Sequence, residues 1–133
     1  MPNVSPAEPF AAPGATWVIC LCAAWCGVCR DYQAIFRQLA QSHPTFRFVW
    51  LDVEDQAELV GDIDVETFPS LLMADAQGTR FFGPVTPQAT ALLSLIHSLQ
   101  NASLQAVPQT PAVRQLLDAV RGAPAHWIRL QAM

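Results

Sequence analysis

The sequence predicts an α/β fold in which helices cover both faces of a central mixed sheet. Strand-like apolar segments alternate with segments of helical periodicity, and a glycine turn at Gly78 separates two of the strands. The order strand–helix–strand, then hairpin, then helix favours three layers. Hydrophobic residues make up 52% of the 133 residues and charged residues 14%, which indicates one globular domain with a sizeable core.

The first half of the predicted fold is a strand–helix–strand unit. Residues 17–23 are apolar throughout, as in a buried strand. Residues 27–41 are expected to form a helix that ends before Pro44. Its apolar side chains recur at helical spacing: Val28, Tyr32, Ile35, Phe36 and Leu39. Residues 46–53 alternate in part and are predicted to be the second strand, with a short helix or loop over 54–63.

The second half is predicted to be a hairpin and a helix. Residues 70–75 follow Pro69 directly and have the composition of a strand, and Gly78 turns the chain back toward a strand at 80–82. Residues 87–100 have a helical pattern. Its apolar positions are Leu92, Leu93, Leu95, Ile96 and Leu99.

Both ends of the chain are expected to depart from this core. Residues 1–15 are rich in proline and alanine and are predicted to be irregular. Residues 102–111 are predicted to be a linker, and 112–121 a short helix that stops at Gly122. The predicted organisation is an irregular N-terminal segment (1–15), a core domain (16–100) and a C-terminal extension (101–133).

The C-terminal extension is expected to pack on the core, because several of its apolar residues need burial. These are Leu116, Leu117, Val120, Trp127, Ile128 and Leu130. A tail that binds a partner is the alternative interpretation.

Charge and hydropathy argue against several classes of function. The net charge is −4 and there is no basic cluster, so nucleic acid is not an expected partner. No apolar run approaches the roughly 20 residues of a membrane span. No basic residue precedes Arg30, so a signal peptide is not expected and the cytoplasm is the predicted compartment. His43, His97 and His126 are scattered, which does not support a hydrolase.

The most informative motif is Trp25-Cys26-Gly27-Val28-Cys29-Arg30, at the junction of the first strand and helix. A thiolate at a helix N-terminus faces unpaired backbone N–H groups and the positive end of the helix dipole, and both favour the ionised form. Cys29, one turn on, is close enough to form a disulfide with Cys26. The pattern therefore predicts a redox-active pair.

This motif resembles the Trp-Cys-Gly-X-Cys-(Lys/Arg) signature of the thioredoxin family. The resemblance extends to Phe68-Pro69-Ser70, about forty residues downstream, and to the glycine turn at 76–79. It covers roughly residues 17–100. It implies a thioredoxin-like three-layer α/β/α fold with a central mixed sheet, here with a shortened N-terminal element and a C-terminal helical extension.

The resemblance also implies a thiol–disulfide oxidoreductase. Cys26 would attack a substrate disulfide, and Cys29 would resolve the mixed disulfide that results. Residues implied to support the site or bind substrate are Trp25, Gly27, Val28, Phe68 and Pro69, with a cis bond before Pro69. The implied partners are disulfide-containing proteins and a reductase or other thiol electron donor, in cell redox homeostasis. A monomer without a cofactor is expected.

Two residues depart from the family's pattern. Thioredoxins usually carry a buried Asp at the position of Cys20, and a nearby Lys at the position that corresponds to Trp50. Losing both avoids a lone buried charge, and it predicts slower resolution of the mixed disulfide. Cys20 and Cys22 are expected to point into the core as small hydrophobes, with a third redox thiol at Cys20 as the alternative.

Other interpretations of the cysteines stay open at this point. The pair could be inert, or Cys20, Cys22, Cys26 and Cys29 could bind zinc as a C-x-C-x3-C-x2-C set. No metal is expected, because Cys20 and Cys22 lie in a strand, whereas structural zinc ligands usually come from loops. The second function class is a thioredoxin-fold binding or assembly module with little turnover. Retained function in Cys26→Ser would support that module.

Overall fold

A computed structural model describes residues 16–23, 26–43, 45–54, 57–61, 63, 65, 67–76, 78–101, 104–107 and 110–122. In chain order the elements of this part are β1 (Thr16–Cys22), α1 (Gly27–Ser42), β2 (Phe46–Asp52), α2 (Ala57–Val60), β3 (Ser70–Asp75), β4 (Gly78–Pro84), α3 (Ala89–Gln100) and α4 (Pro111–Gly122). The predicted order of strands and helices is confirmed, with element ends that differ by a few residues.

The four strands form one mixed sheet in the order β2-β1-β3-β4. β1 pairs with β2 in parallel and with β3 antiparallel, and β3 pairs antiparallel with β4. The hairpin between β3 and β4 turns at Gly78, whose φ of 128° lies in the region that favours glycine. The register of β3 on β4 shifts between Met73 and Ala74.

β1 lies in the interior of the sheet, and its side chains alternate between two core clusters. Val18, Cys20 and Cys22 lie in the first cluster, with buried residues of α1 and α3. The other three, Trp17, Ile19 and Leu21, lie in the second cluster, with buried residues of α4. Both faces of β1 are therefore covered, which explains why the strand is apolar from Trp17 to Cys22.

The buried face of α1 begins at Cys29. Its buried residues are Cys29, Tyr32, Phe36 and Ala40, at successive spacings of three and four. The helical spacing of apolar residues predicts Val28 on this face, and that expectation is wrong, because Val28 is 44% exposed. Val28 precedes Cys29 by one residue and so points about 100° away around the helix.

α4 packs on the sheet through one apolar face. Val113, Leu116, Leu117 and Val120 are buried in the second cluster. The helix begins at Pro111, and the Thr110 hydroxyl accepts a hydrogen bond from the Val113 backbone N–H at 3.3 Å, as in an N-cap. The predictions for residues 1–15 and for Trp127, Ile128 and Leu130 lie outside the described residues, and the proposed division at residues 100 and 101 stays a prediction.

In the part of the chain that the structure describes, none of the helices is both long and apolar enough to cross a bilayer.

Candidate active site

Cys26 lies at the N-terminus of α1, where its backbone is extended and caps the helix. Its N–H donates to the Ala23 carbonyl at 3.0 Å, and its carbonyl accepts from the Arg30 N–H at 3.2 Å. The Cys26 side chain is a free thiol, partly buried against the first cluster. The first turn of α1 carries no acidic residue that would oppose a thiolate there.

Arg30 contributes positive charge to the same end of the helix. Its guanidinium folds back toward Gly27, so that a Cβ placed on Gly27 would lie 3.8 Å from Arg30 Nη2. A substrate thiol or carboxylate near Cys26 would meet this cation together with the open N–H groups of the first turn.

Cys29 is bonded to Cys22 in the structure, and this differs from the expected Cys26–Cys29 disulfide. The two Cα atoms are 5.8 Å apart, within the usual range for a disulfide. The pairing arises because Cys22 ends β1 on the face that α1 covers, next to the first turn of the helix. Both bonded cysteines are only 1% exposed. The roles of Cys26 and Cys29 as nucleophile and resolving thiol stay predictions.

Cys20 lies in the same cluster as a fully buried free thiol. Its Sγ is 3.7 Å from Cys22 Sγ, and burial raises its pKa well above the usual value. In the sheet register Cys20 is opposite Trp50, which confirms that the two neutral residues substituting for the family's charged pair are neighbours.

The hydroxyl of Tyr32 was missed by the sequence analysis, which treated the residue as an apolar position of α1. The side chain is fully buried and its hydroxyl has no hydrogen-bond partner among the described residues. Burial raises its pKa, and the neighbouring Cys20 raises it further. The only sequence signal was a residue with a polar tip on a predicted buried face.

The loop before β3 lies beside the cysteines. The Phe68–Pro69 peptide bond is cis, as the resemblance implies. Phe68 packs against the cluster that contains Cys22 and Cys29, and Pro69 is buried. Ser70, the next residue, pairs with Leu21 near the end of β1, which brings this loop close to the disulfide. Trp25 lies outside the described residues.

A zinc site was one of the open interpretations of the cysteines. Across the described ranges, no group of three or more His, Cys, Asp or Glu side chains is arranged to hold a metal ion.

Comparisons with known proteins identify the family. The thioredoxin family model matches residues 9–97, about two thirds of the chain, and the protein therefore belongs to the thioredoxin family. This membership, with a cysteine pair at disulfide distance beside the start of α1, defines a thiol–disulfide oxidoreductase.

Two relatives match over shorter stretches than the family model does. Thioredoxin H5 of rice (Oryza sativa subsp. japonica) is 35% identical over 65 residues, 49% of this chain and 48% of that protein. Mitochondrial thioredoxin-3 of Saccharomyces cerevisiae is 32% identical over 56 residues, 42% of this chain and 44% of that protein. The matched stretches thus span about half the length of these relatives.

A solved structure supports the fold. The crystal structure of oxidised mitochondrial thioredoxin 3 from Saccharomyces cerevisiae superimposes with a TM-score of 0.58 at 24% identity, covering 69% of this chain and 86% of that one.

Proposed function

We propose that this protein reduces disulfide bonds in other proteins, with Cys26 as the nucleophile and Cys29 as the resolving thiol. The observation that carries the proposal is the contrast between the two sulfurs. Cys26 is a free, partly exposed thiol at the N-terminus of α1, and Cys29 lies one turn behind it, almost fully buried. A disulfide in a substrate can reach the first sulfur and not the second.

In the first step the Cys26 thiolate attacks one sulfur of the substrate disulfide. A mixed disulfide forms, and the other substrate sulfur leaves as a thiolate. Cys26 lies at the N-terminus of α1, and the first turn carries no acidic side chain that would repel the attacking thiolate.

In the second step the Cys29 thiolate attacks Cys26 Sγ. The Cys26–Cys29 bond forms and the substrate sulfur leaves reduced, so two electrons pass from the protein to the substrate. A reductase or another thiol donor then returns them. The attack by Cys29 requires that the Cys22–Cys29 disulfide is broken first. Because Cys20 replaces the family's buried carboxylate, slow deprotonation of Cys29 stays a prediction.

The loop at Phe68 and Pro69 is the proposed platform for substrate. It adjoins the cysteines at the edge of the first cluster, and backbone groups in such loops can pair with an extended peptide strand. Val28 is exposed beside Cys26 and offers an apolar contact on the other side, with Gly27 leaving room for the approaching chain. Trp25 is proposed as a further apolar contact from its place in the motif. A monomer in the cytoplasm, acting in redox homeostasis, completes the proposal.

Reduction of insulin tests this function. The wild type, supplied with dithiothreitol, is expected to accelerate insulin reduction, and Cys26→Ser is expected to lose the acceleration because the attacking sulfur is gone. Gln115→Ala, an exposed change on α4, is the matched control and keeps the wild-type rate. Equal rates for wild type and Cys26→Ser would overturn the proposal.

A binding or assembly module is the second candidate function. The observation in its favour is that Cys29 is bonded to Cys22, so a mixed disulfide at Cys26 would have no resolving thiol and would persist. An absence of insulin turnover in the wild type, with stable capture of insulin chains, would support the module over the reductase.

A further inference from the structure

We propose that Cys22 is a third redox cysteine, which competes with Cys26 for Cys29 and so moves the disulfide from the exposed end of α1 into the core. The inference rests on the proposed function for the formation of the Cys26–Cys29 disulfide, and on the structure for the Cys22–Cys29 disulfide that replaces it. Cys22 lies in β1, outside the two-cysteine motif, and its bond to Cys29 is the one that the structure contains.

The geometry places Cys29 within reach of two partners. Cys26 is three residues earlier in the same helical turn, which the hydrogen bond from Arg30 N–H to the Cys26 carbonyl closes. Side chains at this spacing lie about 5–6 Å apart at Cβ. On the strand side, Cys22 has its Cα 5.8 Å from that of Cys29 and is already bonded to it. One sulfur therefore serves two alternative disulfides.

The exchange between the Cys26–Cys29 and Cys22–Cys29 disulfides needs no outside oxidant or reductant. Reduction of a substrate leaves a Cys26–Cys29 disulfide. The Cys22 thiolate attacks Cys29 Sγ, the Cys22–Cys29 bond forms, the Cys26–Cys29 bond breaks, and Cys26 leaves as a thiolate. The proton that Cys22 loses passes to Cys26 or to solvent. The protein holds the same number of electrons before and after.

Burial favours the internal disulfide as the end point. A free thiolate at Cys22 would be surrounded by apolar side chains, whereas a thiolate at Cys26 has solvent and the helix N-terminus beside it. A disulfide and a protonated thiol are both uncharged, so the difference lies in the sulfur that the exchange sets free: it lies at Cys26, partly exposed to solvent, rather than at Cys22 in the core. Cys20, whose thiol is 3.7 Å from Cys22 Sγ, can donate a weak hydrogen bond to it.

The exchange would change what the protein does next. With Cys29 bonded to Cys22, Cys26 is again a free nucleophile but has lost its resolving thiol. The oxidised protein would then capture a second disulfide substrate at Cys26 and hold it, until a donor reduces Cys22–Cys29 and Cys29 can release it. The internal disulfide thus switches the same site between turnover and retention.

Thiol mapping tests the proposal. The reduced protein is oxidised in a glutathione buffer until one intramolecular disulfide has formed, pulsed with iodoacetamide while folded, and mapped by mass spectrometry. In the wild type we expect the disulfide at Cys22–Cys29, with Cys26 carrying the label or a captured glutathione. In Cys22→Ala the Cys26 label should be lost, because Cys26 is then the sole partner of Cys29. Cys20→Ala, the matched loss of a buried cysteine from the same strand, should keep the label.

A second variant tests the same disulfide without a substitution in the core. Cys26→Ala alters only the partly exposed cysteine, and it should still form the Cys22–Cys29 disulfide in the same buffer. A Cys26–Cys29 disulfide in the oxidised wild type, a Cys20–Cys22 disulfide, or a Cys26→Ala protein with no disulfide would each overturn the proposal. Because the probe is glutathione disulfide, these results are independent of whether the protein reduces insulin, so the two proposals fail separately.

Discussion

Cys20 shows at the scale of one residue what burial in the core does to a titratable group. The thiol is fully buried, and burial raises its pKa. The folded protein therefore keeps it protonated at pH values where the unfolded chain, with a thiol pKa of about 8.5, releases the proton. Since the folded pKa is the higher one, the stability from this group is fully present below the unfolded pKa and falls as the pH rises above it.

This difference predicts how stability depends on pH. In a phosphine reductant, the free energy of unfolding of the wild type should fall between pH 8.5 and 9.5 by about 1 kcal/mol more than that of Cys20→Ala. Urea titrations at each pH measure this difference in the free energy of unfolding. The other cysteines are present in both proteins, so their contributions cancel. Tyr32 adds little in this range, because its unfolded pKa is about 10. If the free energies of unfolding of the two proteins changed with pH in parallel, Cys20 would ionise as easily in the folded state as in the unfolded chain.

α4 shows at the scale of an element how the C-terminal part of the chain contributes to the fold. Its apolar face covers the side of the sheet formed by Trp17, Ile19 and Leu21 of β1. Without the helix these side chains would meet water on that face, and each large apolar side chain costs about 1.5–3 kcal/mol when it is fully exposed. The packing favours a structural role for the helix over a free partner-binding tail.

Leu116→Ala measures this contribution. Leu116 is fully buried in the second cluster, so its truncation should lower the free energy of unfolding by about 2–5 kcal/mol. Gln115→Ala is the matched control on the exposed face of the same helix, with an expected change within about 0.5 kcal/mol. Urea denaturation of both variants gives the comparison. If Leu116→Ala were as stable as Gln115→Ala, the helix would not be docked in solution.

The whole molecule shows which features of the sequence were sufficient for prediction. The apolar run of β1 and the helical spacing of Tyr32 and Phe36 were enough to place a covered strand and its helix. The cis bond before Pro69 came from the resemblance alone, since a proline at the start of a strand has more ordinary explanations.

The Cys22–Cys29 pairing could not be read from the sequence, for a physical reason. Spacing along one helix turn makes Cys26 the obvious partner of Cys29. The reach of Cys22 depends on how closely α1 lies over the end of β1, which is a property of the tertiary packing. Their place in an apolar strand did indicate that Cys20 and Cys22 face the core, and both are buried in the first cluster.

Trapping of the mixed disulfide identifies the sulfur that attacks substrate, which we propose to be that of Cys26. A Cys29→Ser protein is mixed with insulin, quenched with acid, and digested so that the cysteine joined to the insulin chain is identified by mass spectrometry. We expect a persistent one-to-one adduct on Cys26, because the resolving sulfur is absent. An adduct on Cys20 or Cys22, or no adduct at all, would contradict it.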